Sequence, residues 1–428
     1  MRIELPYGDT PATAELRCGR VPGVLDVAET PALPNPEAAL RQALERPIGL
    51  NAPCLHGFGP GESTVILVSD AFRDTGVDQL LPELLAALNE RGVRDRDITF
   101  LFATGSHRPP NEAEQRRILG LGVYGRFRGR TLPHDPQDTE NLVELGATSR
   151  GTPVHINRRA VDAAHVIATG AVVLHYFGGF GGGRKSIVPG IAGMDTIAAN
   201  HSLNLHPTEN TLNPAVRIGT LDGNPVAEDM LEAARMLHVD CIVNTVLNQQ
   251  GGIAGVFAGE LDTAHRAAAT FARTLFSAPL AERADLVLAS AGTAKNFVQS
   301  HKALFNAFQA MRPGGRMVFA ARAPEGYGGN RFAEWIGLGS RDRIIAELRK
   351  RAEINGQTAL SAIEKAAHAV MLTELSAPEV AALGARKAET LQEAIDLACA
   401  DLRETGVGEP GVYVMPSASY TVPEPAAG

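Results

Sequence analysis

A histidine, a run of glycines and a lysine share one short stretch, HYFGGFGGGRKSIVPG, from His175 to Gly190. Glycine-rich loops that lead to a lysine commonly cradle phosphate, because they let backbone N–H groups approach an anion. The phosphate-loop template requires glycine immediately before the lysine and Ser or Thr after it. Here Arg184 precedes Lys185 and Ser186 follows, which puts a large side chain where that loop turns tightly. A P-loop-like phosphotransferase therefore departs from its template at this point. Two other readings stay open: a flexible lid, and a lysine desolvated by Ile187 and Val188 and so made nucleophilic.

Other residues could do chemistry with it. His107, in TGSHRPP, and His175 each follow an apolar run, and an imidazole that titrates near pH ~6.5 suits a general acid or base. Capping a loop is the plainer role for either. His201 and His206 are spaced i, i+5, not the i, i+4 of a helical metal pair, so His201 is a candidate single ligand for nickel, copper or zinc. The HExxH and HxxEH patterns of zinc hydrolases are absent. Asp70 and Arg73, in SDAFRDTG, read as a loop ion pair or as a carboxylate-binding arginine with its neighbour. Gln299 and Lys302 share one helix face at i, i+3 and could donate a hydrogen bond and a cation to a substrate.

These residues need elements to hold them. TVILVSD (64–70) reads as a buried strand, DQLLPELLAALNERG (78–92) as a helix with a leucine stripe, and DITFLFATG (97–105) as a second strand. A helix opens near Pro110, AAHVIATGAVV (163–173) is a third strand, and another helix starts near Met194. The candidates Asp70, Arg73, His107 and His175 all follow strands, where open α/β sheets bind ligands. Later, ADLVLASAG (284–292), a helix over 295–311, a PGGR turn and the MVFAAR strand form a βαβ unit. The expectation is an α/β fold of two domains with mostly parallel sheets, 1–272 and 273–428, with the active site in the cleft between them. TVPEPAAG is expected to be a loose tail.

Composition narrows the classes of function. A net charge of −8 argues against a dedicated nucleic-acid binder. The first residues carry no apolar signal region, and no run approaches the roughly 20 apolar residues that span a bilayer, so a cytoplasmic protein without membrane partners is expected. Cys18, Cys54, Cys241 and Cys399 lie far apart and read as buried free thiols. Oligomeric state has no signature in the sequence.

Together, TGSHRP (104–109), HYFGGFGGGRKSIVPGIAG (175–193), His201, the DxxR of Asp70–Arg73 and the QxxK of Gln299–Lys302 resemble the nickel-pincer lactate racemase family of 2-hydroxyacid racemases and epimerases. The resemblance implies nickel held in pyridinium-3-thioamide-5-thiocarboxylic acid mononucleotide, tethered as a thioamide to Lys185, with His201 as a nickel ligand. It implies His107 and His175 as the acid/base pair, and Asp70, Arg73, Gly181, Gly182, Gly183 and Ser186 around the cofactor. Arg73, Gln299 and Lys302 would bind substrate, and cofactor-biosynthesis proteins would mature the enzyme. The chemistry is coherent, because removing hydride from C2 leaves a planar 2-keto acid that accepts hydride on either face. That acceptor must be a cofactor, since no side chain is one. Arg184 and the approach GTAKNFVQSHK depart from the family pattern, and Lys295 and His301 are expected to add polarity near the substrate. A larger or more acidic 2-hydroxy acid, such as malate or a sugar acid, therefore stands beside lactate. A non-catalytic carboxylate-binding protein is the alternative outside enzymes.

Overall fold

The computed structural model describes residues 1–425 and divides the chain into two compact units, Glu29–Leu275 and Met1–Ala28 with Phe276–Gly428. In the first, a six-stranded sheet runs in the order 253–259, 241–247, 165–171, 64–69, 98–103 and 131–133. All its pairs are parallel except the first, which is a hairpin. Thr64–Ser69 is buried along nearly its whole length, as an apolar run covered on both sheet faces must be. The Val77–Glu90 helix sets Leu80, Leu81, Leu84, Leu85 and Leu88 into that core. Its chain then reverses at Gly92, where φ is 87°.

The three strands expected to deliver the chemistry, Thr64–Ser69, Ile98–Ala103 and His165–Ala171, are direct neighbours with parallel register. Their carboxyl ends therefore open on the same edge.

The second unit holds an all-parallel six-stranded sheet in the order 386–388, 369–372, 311–320, 284–290, 411–415 and 20–24. The sequence expectation had assigned residues 1–272 to one domain. The first 28 residues instead belong with the second unit, because Arg20–Val24 is an edge strand of its sheet and Ile3, Leu5, Ala14 and Leu16 enter its core. Cys18 is disulfide-bonded to Cys399, which corrects the reading of four free thiols; only Cys54 and Cys241 are free. The expected PGGR turn interrupts a longer strand, Met311–Ala320, whose ladder pairs Met311 and then resumes at Arg316. The expected tail is ordered over Val422–Pro425, which pairs with Ser277–Leu280; Ala426–Gly428 lie outside the described residues. Among the described residues no helix is long and apolar enough to cross a membrane.

Candidate active site

Two dyads stand at the carboxyl edge of the first unit's sheet. Asp70, directly after Thr64–Ser69, is buried and accepts the Phe72 N–H through Oδ1 at 2.8 Å. Its other oxygen, Oδ2, lies 2.7 Å from His107 Nδ1. A carboxylate at that distance accepts a hydrogen bond from Nδ1–H and so leaves Nε2 as the basic nitrogen. His107 itself is half-buried, on the turn that follows Ile98–Ala103, where its N–H donates to Thr104 O at 3.0 Å. The same turn is pinned to the lysine segment by Gly105 N–H donating to Gly190 O at 2.9 Å.

The second dyad is His175 with Lys185. His175 closes a tight hairpin, Leu174–His175 against Gly179–Phe180, and its Nδ1 accepts N–H groups of Phe177 at 3.4 Å and Gly178 at 3.2 Å. The ring proton therefore belongs on Nε2, which lies 3.1 Å from Lys185 Nζ. An N–H facing an amine pairs only if the amine offers its lone pair. The environment agrees: burial, then Arg73 and Arg184, push the Lys185 ammonium well below its ordinary value, against Asp70. Part of the residue stays accessible, so burial disfavours the charged form without sealing the amine.

Phe177 is the hub of this cluster. Its ring centroid lies 4.5 Å from that of His175 and 4.8 Å from that of His201, and 4.9 Å from Lys185 Nζ. His201, in the Met194–Ser202 helix, is buried, and burial followed by the nearby Lys185 brings it down to about 3. It is thus a neutral imidazole, the form that ligates a metal. Among the described residues no cluster of three or more His, Cys, Asp or Glu converges as a metal site. His201 is a single protein donor, which fits a metal whose other ligands come from a bound organic group.

The glycine loop is shaped by packing. Gly182 and Gly183 have φ of 69° and 51°, and a Cβ on them would meet Asn244 Oδ1 at 2.5 Å and the His265 ring at 2.7 Å. Gly181 N–H donates to Val173 O and Gly183 N–H to Asn244 Oδ1, both at 2.8 Å, so those donors are spent inside the protein. Ser186 likewise donates to Thr169 O at 2.8 Å. Lys185 itself sits in a short 3-10 turn, Gly183–Ser186, rather than at the start of the helix that a phosphate loop opens. Gly178, by contrast, leaves space beside the lysine: a Cβ there would stand 3.5 Å from Nζ.

Arg184 does not line this space. It is buried, donating to His265 Nδ1 at 3.1 Å and to Gly178 O at 2.9 Å, while its Nε has no hydrogen-bond partner among the described residues. Burial brings its guanidinium down to about 10. His265 Nε2 donates to Gly181 O at 2.8 Å, and burial and Arg184 bring this histidine to about 3. Sequence reading missed Phe177, Asn244 and His265. Phe177 sat inside the motif with no spacing cue, and the other two lie far along the chain.

Arg73 is exposed, with its N–H directed to Asp70 O at 3.4 Å. Gln299 and Lys302 belong to the second unit, on the Phe297–Ala310 helix. Gln299 is exposed and its Oε1 accepts Lys295 N–H at 3.0 Å; Lys302 Nζ stands 5.8 Å from the centre of the Tyr420 ring. His301, expected to add polarity near a substrate, points inward instead: it is buried, with Nε2 2.9 Å from Ser361 Oγ.

Residues 7–212 match the family model of the lactate racemase N-terminal domain. The lactate racemase of Thermoanaerobacterium thermosaccharolyticum is 31% identical over 340 residues, covering 78% of this chain and 77% of its own. That of Lactiplantibacillus plantarum is 31% identical over 337 residues, covering 77% of each. The solved lactate racemase apoprotein from T. thermosaccharolyticum superposes with a TM-score of 0.86 at 28% identity, covering 99% of this chain and all of that one. A crystal structure of a Thermotoga maritima protein shares the fold, with a TM-score of 0.64 at 17% identity over 93% of this chain and all of the other.

Proposed function

This chain belongs to the lactate racemase family, and from that premise we propose that it interconverts the enantiomers of a 2-hydroxy acid, lactate first among them, with a nickel-pincer nucleotide tethered to Lys185. The observation that carries this reading is the 3.1 Å contact of Lys185 Nζ with His175 Nε2, in the same unit as the Asp70–His107 dyad. When bound, the cofactor supplies the electrophilic centre that accepts hydride from C2.

The residues fit such a group. Lys185 brings an amine lone pair to form the thioamide, His201 brings one neutral imidazole to the nickel, and Gly178 leaves room beside the tether. Gly181, Gly182, Gly183 and Ser186 form the surrounding wall, their own donors being largely spent.

The two histidines enter in complementary states. His107, with its proton fixed on Nδ1 by Asp70, takes the hydroxyl proton at Nε2, and Asp70 stabilises the imidazolium that results. His175 would serve the other enantiomer from Nε2 as an imidazolium, having first gained a second ring proton from solvent; it gives one proton to the oxygen of the 2-keto acid and is left neutral, while His107 returns its proton to solvent. Once the amine of Lys185 is committed to the tether, that N–H is released for the substrate. Arg73, exposed and charged, suits the substrate carboxylate by its planar fork. Gln299 and Lys302 keep the substrate-binding role that the family resemblance gives them, and raised KM in their alanine variants is the expected sign.

The test is production of the chain together with the cofactor-maturation proteins, followed by intact mass and metal analysis. A covalent adduct that maps to Lys185, about one nickel, and loss of optical purity of lactate with its C2 hydrogen retained are the expected results. ATP-dependent phosphate transfer without an adduct would replace this reading with the phosphotransferase. Carboxylate binding without turnover in adduct-bearing protein would leave a binding protein.

A further inference from the structure

Among the exposed large apolar side chains, Phe72 holds an unusual place. It is 57% exposed, yet it is locked on three sides. Its N–H donates to Asp70 Oδ1 at 2.8 Å, the same carboxylate that orients His107. Its ring stands 5.1 Å from the His107 ring, edge to face at 67°. The Arg108 guanidinium covers it at 5.2 Å. That guanidinium is itself held by Glu114 through two hydrogen bonds of 2.6 and 2.7 Å, so its charge is already answered and it acts as a flat lid on the ring. An apolar ring, rigidly aimed beside a proton-transfer group and left open to water, is a surface that an apolar group would cover.

We propose that Phe72 is the wall against which the C2 substituent of the substrate packs, and that it selects 2-hydroxy acids whose substituent is apolar and larger than methyl, aryl or branched alkyl. This rests on the reading of His107 as the acid/base group of a 2-hydroxyacid racemase. A methyl group covers little of the ring, whereas an aryl or branched alkyl group displaces the water over it. A second carboxylate, as in malate, would lose water against this ring and find the guanidinium that covers it already paired with Glu114. The polyol chain of a sugar acid would lose hydrogen bonds there without replacement. Of the two residues that had favoured a more polar substrate, His301 is turned into the core and Lys295 is exposed.

The test compares kcat/KM of the cofactor-loaded enzyme for lactate, 3-phenyllactate and malate, in the wild type, Phe72→Ala and Phe72→Leu. The wild type is expected to prefer 3-phenyllactate to lactate by about 10-fold or more, the discrimination of one or two well-packed groups in an apolar site, with malate last. Phe72→Ala should cut the phenyllactate-to-lactate ratio about 10-fold, and Phe72→Leu should recover part of it. A purely structural role would lower both rates together and leave the ratio alone. Turnover with a ratio unmoved by Phe72→Ala, or a preference for malate, overturns this inference and leaves the racemase reading standing. Failure of adduct-bearing wild-type enzyme to turn over any of the three acids overturns the racemase reading, and this inference with it.

Discussion

Each unit of this protein buries a lysine against a histidine-containing polar cluster, and the two clusters are instructive together. In the first, Lys185 Nζ meets His175 Nε2 at 3.1 Å beside the ring of Phe177. In the second, Lys365 Nζ donates to Ser361 Oγ at 3.0 Å, which His301 also contacts, with the Phe305 and Phe308 rings 4.8 and 5.4 Å away. Neither lysine forms an ion pair among the described residues, and burial disfavours the charge of both, bringing Lys365 to about 8. What differs is access. Lys365 is only 5% exposed, in the last turn of a helix, while Lys185 follows a glycine loop and retains partial surface beside Gly178. A depressed lysine is therefore no mark of function by itself. The loop that leaves space next to the amine is what turns the same electrostatics into a candidate anchor.

Substitution at the two lysines should separate them most sharply. Lys185→Ala is expected to abolish both the adduct and racemisation in protein matured with nickel, whereas Lys365→Met should carry the adduct at the wild-type level; intact mass reads both. Racemisation surviving in Lys185→Ala would remove the anchor from this loop.

The dyads around Lys185 come next. His107→Ala should lower kcat by about 10²- to 10⁴-fold, the usual contribution of one acid/base group, with the adduct retained. Asp70→Asn should act in the same direction by disturbing the His107 tautomer. Full turnover in either variant would take that residue out of the proton path.

Stability gives the third separation. A buried cation without a counter-ion is a cost, so Lys365→Met should raise the free energy of unfolding by about 1–3 kcal/mol near neutral pH, read by denaturant titration. The sign with pH follows from a folded value of about 8 against an ordinary value of 10.5. Between these the unfolded chain binds more protons, so wild-type stability should rise with pH across that window, and Lys365→Met should flatten the rise.

The smallest effect is expected from the clamp on the glycine loop. His265 is held near 3, so folding stability should fall as pH drops from about 6.5 towards 3, where the unfolded imidazole is protonated and the folded one is not. His201 and His301, also held near 3, add to the same slope. His265→Gln, which retains one donor and one acceptor for Gly181 O and Arg184, should shallow that slope in acid-unfolding curves. An unchanged slope would mean that His265 is charged in the fold.

Much of this was legible in the sequence because it is local. The strand at 64–69 announces itself by continuous burial, the helix at 77–90 by its leucine stripe, and the expected common edge by the fact that each candidate follows a strand. Asp70 and His107 do meet across that edge. The unread parts are those with no local pattern. Asn244 and His265 reach the loop from 61 and 81 residues away, and nothing near either of them hints at a partner. Arg184 reads in the sequence as a departure from the phosphate-loop template and the family pattern, and only the fold shows that its side chain turns into the protein. The edge strand at 20–24 reads as ordinary N-terminal sequence until its partner at 411–415 is in place.

That last pairing has a consequence for how the protein is made. Cys18 and Cys399 are 381 residues apart, so the second unit cannot close until nearly the whole chain has left the ribosome. The unit that carries Asp70, His107, His175, Lys185 and His201 is one uninterrupted segment, Glu29–Leu275. During synthesis the emerging chain thus holds every residue of the lysine site while the final strands of its companion unit are still untranslated. Vectorial synthesis gives the anchor a head start over the unit that carries Gln299 and Lys302.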